Sequence, residues 1–144
     1  MSIGILGAQP HCRLVGPFVS VPGTNVQTQL PLSGGTLFED TGPFLAGDHL
    51  AFPRDGWYSG IATLEFNGTL VAGGGMLFNL QVTSSTPEDD EAVGEAAAVG
   101  AYGPMVAFGP RRFSAGDTLA FLVTNSSGGA LPIAALVSVT RLGD

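Results

Sequence analysis

The chain has 144 residues, enough for one domain that buries roughly two thirds of its extended surface. It carries 12 carboxylates against five basic residues and a net charge of −7. All five basic residues are arginine, which excludes a basic stripe for nucleic acid, Schiff-base chemistry at lysine and a Walker-type phosphate lysine. Hydrophobic residues make up 44% and charged residues 12%, so a monomer has too few polar groups to cover its surface and an oligomer is expected. The 22 glycines and 10 prolines interrupt apolar runs throughout, a pattern of short strands joined by turns.

Residues 1–10 are apolar but have no charged leader or cleavage signature, so they do not read as a signal peptide. No apolar run approaches the length of a membrane span, and no membrane insertion is expected. Leu14 to Val21 alternate as a first strand closed by Pro22 and Gly23. Residues 1–21 are assigned as an attachment segment with the first strand, and residues 22–144 as the body of the single domain.

Val26, Thr28 and Leu30 alternate with Gln27 and Gln29 in a half-exposed strand that Pro31 ends. After a turn at Gly34 and Gly35 comes Phe44-Leu45-Ala46-Gly47-Asp48-His49-Leu50-Ala51-Phe52. Pro53-Arg54-Asp55-Gly56 is then a turn, and residues 57–66 form a long half-buried strand. In it Tyr58, Ala62, Leu64 and Phe66 share one face, and Ser59, Thr63 and Glu65 the other. Asn67-Gly68 is a hairpin signal, and Met76, Phe78, Leu80 and Val82 alternate with Leu77, Asn79, Gln81 and Thr83 in the next strand.

Residues 84–95 are polar and acidic and read as a surface loop. Residues 98–108 read as a strand broken near Gly103 and Pro104. Phe113-Ser114-Ala115-Gly116-Asp117-Thr118-Leu119-Ala120-Phe121 then repeats the phrase that began at Phe44. In each copy glycine supplies a positive φ and the aspartate bonds its own turn, after which Leu-Ala-Phe enters a strand. Residues 125–129 turn the chain into a last strand, residues 131–142. Its middle, residues 133–137, is apolar on both faces and so belongs at the centre of a sheet. Eight to ten short strands without a long helix amount to an all-β, antiparallel jelly-roll sandwich, with the two Ala-Gly-Asp turns opening equivalent strands of its two halves.

The chemistry-bearing residues are few. His11 and Cys12 are neighbours in a strand and point to opposite faces, and His49 is the only other histidine, so neither a nucleophile pair nor a zinc site is expected. The acidic run Glu88, Asp89, Asp90 and Glu91 lacks the spacing of an EF-hand loop and reads as a solvated loop. Asp48 and Asp117 have sufficient structural roles in their turns and are not assigned as acid and base. Catalytic, cofactor-binding and metal-binding residues are therefore all expected to be none, and no cofactor is implied. Arg111 and Arg112 are candidates for meeting an acidic neighbour across an interface. Trp57, the only tryptophan, is the candidate stacking platform if the domain is a carbohydrate-binding module. A jelly-roll enzyme is the third reading, and no convergent set of histidine, serine and cysteine supports it.

Three stretches, residues 47–62, 113–121 and 134–142, resemble the tumour-necrosis-factor and complement globular-head jelly rolls. In that pattern an apolar strand, a proline, a turn, glycine, an aromatic and a tyrosine precede a long strand, and a later Ala-Gly-Asp strand and a C-terminal apolar strand follow. The likeness covers residues 42–142. It implies a homotrimer packed through aromatic-rich faces around a threefold axis, with Tyr58, Phe66 and Tyr102 as candidates for that packing. Similar small domains occur on bacteriophage heads and tails. The resemblance thus implies a non-enzymatic virion protein of a tailed bacteriophage, made in the host bacterial cytoplasm, that decorates the capsid or sits on the tail. Its partners would be other virion proteins, major capsid or tail proteins, with a host-surface glycan as a further candidate and no nucleic acid.

Overall fold

The computed structural model describes residues 9–67, 76–83, 91–96 and 102–144. Among them are twelve strands and no helix: β1 (His11–Val15), β2 (Val19–Val21), β3 (Gln27–Gln29), β4 (Thr36–Asp40), β5 (Leu45–Ala46), β6 (His49–Ala51), β7 (Gly56–Phe66), β8 (Met76–Thr83), β9 (Glu91–Ala96), β10 (Tyr102–Phe113), β11 (Thr118–Asn125) and β12 (Leu131–Gly143).

They form two antiparallel sheets. The front sheet runs β10-β7-β12-β1-β4, with β2 also on β12, and the back sheet runs β5-β6-β11-β8-β9, with β3 also on β11. The count of twelve exceeds the expected eight to ten because two strand positions are interrupted. β1 and β2 follow each other along one side of β12, pairing Val15 with Leu136 and Val19 with Ile133. β3 and β6 likewise share one side of β11. Five positions per sheet remain, the two-layer sandwich that the alternating pattern implies.

Alternation decides what is buried. Along β7, Tyr58, Ala62, Leu64 and Phe66 point into the sandwich while Trp57 and Ile61 are exposed. Along β11, Leu119, Phe121 and Val123 are buried. β12 lies between β7 and β1, and Ile133, Ala134 and Ala135 are all fully buried, as its two-sided apolar middle requires. At one end of the core Phe44, Phe52, Tyr58 and Phe113 form an aromatic cluster, with Phe52 and Phe113 stacked 3.8 Å apart and Tyr58 set edge-on to both.

The two copies of the repeated phrase pair with each other. Leu50 lies opposite Leu119 and Ala51 opposite Thr118, and the Phe52 N–H donates to the Asp117 carbonyl at 2.9 Å. Gly47 and Gly116 have φ of 68° and 89°, the left-handed conformation that glycine was expected to supply at both turns.

Three expectations need correction. Glu91 to Glu95, the end of the anticipated acidic loop, belong to strand β9, paired with β8 at the open edge of the back sheet. At such an edge backbone pairing with one neighbour overrides polar composition, since charge is tolerated where one side meets water. The strand broken near Gly103 does shift register between Tyr102 and Met105, but it continues past a second irregularity to Phe113. Tyr58 and Phe66 cannot pack around an outside axis, because both lie in the core. Residues 1–8 and the acidic residues Glu88, Asp89 and Asp90 fall outside the described residues, as does the Tyr102 side chain.

Candidate docking surfaces

Residues that alternate with the core positions of β7, β12 and β1 make the outer face of the front sheet. In an ordinary half-solvated sheet they are polar. Here Val15, Phe38, Ile61, Thr63, Leu136 and Ser138 line a groove of about 450 Å³ across β1, β4, β7 and β12. Phe38, Ile61 and, on β10, Met105 are 53%, 46% and 65% exposed, which places large apolar side chains at the two edges and the middle of one face. The one charged residue lining the groove is Arg13, whose guanidinium lies 5.0 Å from the Phe38 ring centroid.

Edge strand β4 is held by polar contacts. The Asp40 carboxylate accepts from the backbone N–H groups of Phe44 and Leu45 at 2.7 and 2.9 Å, which fixes the turn leading into the first repeat copy. His11 spans β1 and β4: one ring nitrogen meets the Gln9 carbonyl and the other meets the Glu39 carboxylate. The Gln9 carbonyl and then Glu39 raise the His11 pKa above its ordinary value.

Cys12, one residue on, points the other way and is buried. Burial pushes its thiol up to about 12, so a thiolate nucleophile does not form at neutral pH. The pair is split across the sheet as its spacing required. Among the described residues no cluster of histidine, cysteine and carboxylates is arranged to hold a metal.

The two repeat aspartates do different work. Asp117 is buried and accepts from the Ser114 N–H at 2.8 Å, closing its own turn. Asp48 is exposed and accepts from the Ser33 hydroxyl at 2.9 Å, tying its turn to another loop. Asn125 is also buried; its amide donates to the Val21 and Gly129 carbonyls, and its side-chain carbonyl accepts from the Ser127 N–H.

Sequence reasoning missed Arg141. Its alternation in β12 turns it inward, where it is 5% exposed. The guanidinium donates to the Asp55 carbonyl, the Gln9 side-chain carbonyl and the Asp144 carboxylate. A buried arginine with its donors matched joins the start of the domain, the turn before β7 and the chain's last residue. The Tyr58 hydroxyl adds a bond to the Arg54 carbonyl at 2.6 Å, and burial raises its pKa. The outward apolar residues were visible as the second set of each alternation, but nothing in spacing alone separates an outward isoleucine from an inward one.

No protein-family model and no curated protein sequence matches the chain. Solved structures share its fold, among them a vertex protein and a TNF. PRD1 vertex protein P5 is 21% identical, with a TM-score of 0.68 over 95% of this chain and 99% of that one. The Eiger TNF of S. frugiperda is 16% identical, with a TM-score of 0.50 over 92% of this chain and 94% of that one. The two-sheet order, the paired Ala-Gly-Asp strands and these likenesses together identify the fold of this chain as a jelly roll of the tumour-necrosis-factor type.

Proposed function

We propose that the protein is a non-enzymatic structural component of a bacteriophage virion, working as a homotrimer packed through the outer face of the front sheet. The observation that carries the reading is the apolar character of that face. Large apolar side chains at both edges of one sheet suit a contact in which one edge of a copy meets the middle of the next, and head-to-tail contacts of this kind form a ring when the rotation between copies closes. The likeness to a vertex protein over nearly the whole length of both chains supports the virion setting. The virion is that of a tailed phage, with the protein on the capsid or the tail, bound to major capsid or tail proteins.

Residues 1–21 are the attachment segment and first strand, and β1 and β2 within them are woven into the front sheet. Binding to the assembled particle stabilises both by mass action. Particles that lack the protein should lose heat resistance or host attachment, and particles normal in both respects would refute the reading. A carbohydrate-binding role remains the second reading, because Trp57 is 43% exposed and free to stack on a sugar ring. A glycan array with no hits and unchanged tryptophan emission would remove it.

A further inference from the structure

The chain has five arginines, and the fold gathers four of them at one end of the sandwich. Arg54 sits in the turn before β7, Arg111 and Arg112 at the close of β10, and Arg141 at the close of β12. Register makes them neighbours: Tyr58 lies between Arg111 and Arg141, and Trp57 lies between Arg112 and Gly143. Two of the four are engaged within the fold. Arg141 is buried in its own bonds, and the Arg111 guanidinium is 5.3 Å from the Phe113 ring centroid.

Arg54 and Arg112 are exposed, and among the described residues neither forms an ion pair. The carboxylates beside these arginines have partners of their own: Asp55 accepts from the Ala115 N–H, Asp117 from the Ser114 N–H and Asp144 from Arg141. Arg54 and Arg112 both act on Asp144 through space and help to hold its carboxyl below the usual range, after the larger effect of Arg141. The rest of the chain carries a single arginine, Arg13, and most of the carboxylates. A basic end on an acidic protein is a directional charge, and beside it stands the exposed indole of Trp57.

We propose that this end, through Arg54, Arg112 and Trp57, docks an acidic segment of a partner protein. Arginine and tryptophan are the side chains that concentrate binding energy at protein interfaces. Guanidinium groups pair with carboxylates through two parallel hydrogen bonds, and an indole covers the apolar part of the same segment. A polyanion such as nucleic acid asks for a longer run of positive charge than two free arginines offer. Gln9, bonded to Arg141, lies at this end too. The inference requires neither the trimer nor the virion setting.

The single tryptophan makes the test direct. A short oligoglutamate peptide titrated into the full chain should change Trp57 emission saturably at low salt, and much less at high salt. The double variant Arg54→Gln and Arg112→Gln should weaken that binding about tenfold, as expected of two partly exposed charge pairs. Should the double variant unfold, the salt dependence of the wild-type titration and the single Arg112→Glu variant decide the question. The proposal falls if oligoglutamate leaves the emission unchanged. It falls equally if a sulfated heparin fragment or a DNA duplex binds here and the peptide does not, or if the double variant lowers the native mass, which would make the surface a self-contact.

Discussion

Neighbouring residues of β7 belong to two different environments. Tyr58 is closed inside the aromatic cluster with its hydroxyl bonded to Arg54, while Trp57 stands half exposed on the outside, and Leu64 and Ile61 repeat the contrast further along. The inner face is complete within one chain, since its rings and aliphatic side chains contact one another across the two sheets. The outer face sets the large apolar side chains of Phe38, Ile61 and Met105 among polar ones such as Thr63 and Ser138. Folding therefore depends on the inner face and the proposed assembly on the outer one, and substitutions should separate the two.

The largest effect should come from the inner face. Tyr58→Ala should cost about 3–5 kcal/mol in denaturant unfolding, whereas Trp57→Ala beside it should cost about 1 kcal/mol or less. Equal costs would erase the contrast. Ile61→Asp should leave far-UV circular dichroism intact and weaken self-association about a hundredfold, because it buries an unpaired charge in the contact. Native mass over a dilution series reads this, and an unchanged mass would move the interface elsewhere.

A smaller pair of effects compares the two repeat turns. Asp117→Ala removes a buried carboxylate and leaves the part-buried Ser114 N–H without its partner, and should cost about 1–3 kcal/mol. Asp48→Ala loses only an exposed bond from Ser33 and should stay within about 0.5 kcal/mol. The smallest concerns β4. Folding favours protonated His11, so the tie between β1 and β4 is complete below the ordinary imidazole value of 6.5 and fades as pH rises through the higher folded value. Glu39→Gln should accordingly lower the melting temperature in mild acid and have little effect in mild alkali; the reverse order would refute the tie.

Much of this fold is legible in the sequence because its strands alternate cleanly. Trp57 to Phe66 and Leu119 to Val123 declare their buried faces, and the doubled Ala-Gly-Asp phrase announces two strands that turn out to be each other's partners. Strand β9 was hidden because composition reports solvation, whereas its backbone pairs with β8 at an edge where charge is no obstacle. The candidate surfaces were only half visible. Trp57, Arg111 and Arg112 drew notice singly, but Arg54 and Arg141 join them only when β7, β10 and β12 come into register. Arg141 has the composition of a surface residue and becomes a core one because its place in β12 points inward.

The central claim is that the outer face of the front sheet holds copies of the chain together. Native mass spectrometry of the purified protein at several concentrations tests it most directly. A stable mass of three chains, lost on Ile61→Asp, is the result this account predicts, and a monomer at every concentration would contradict it.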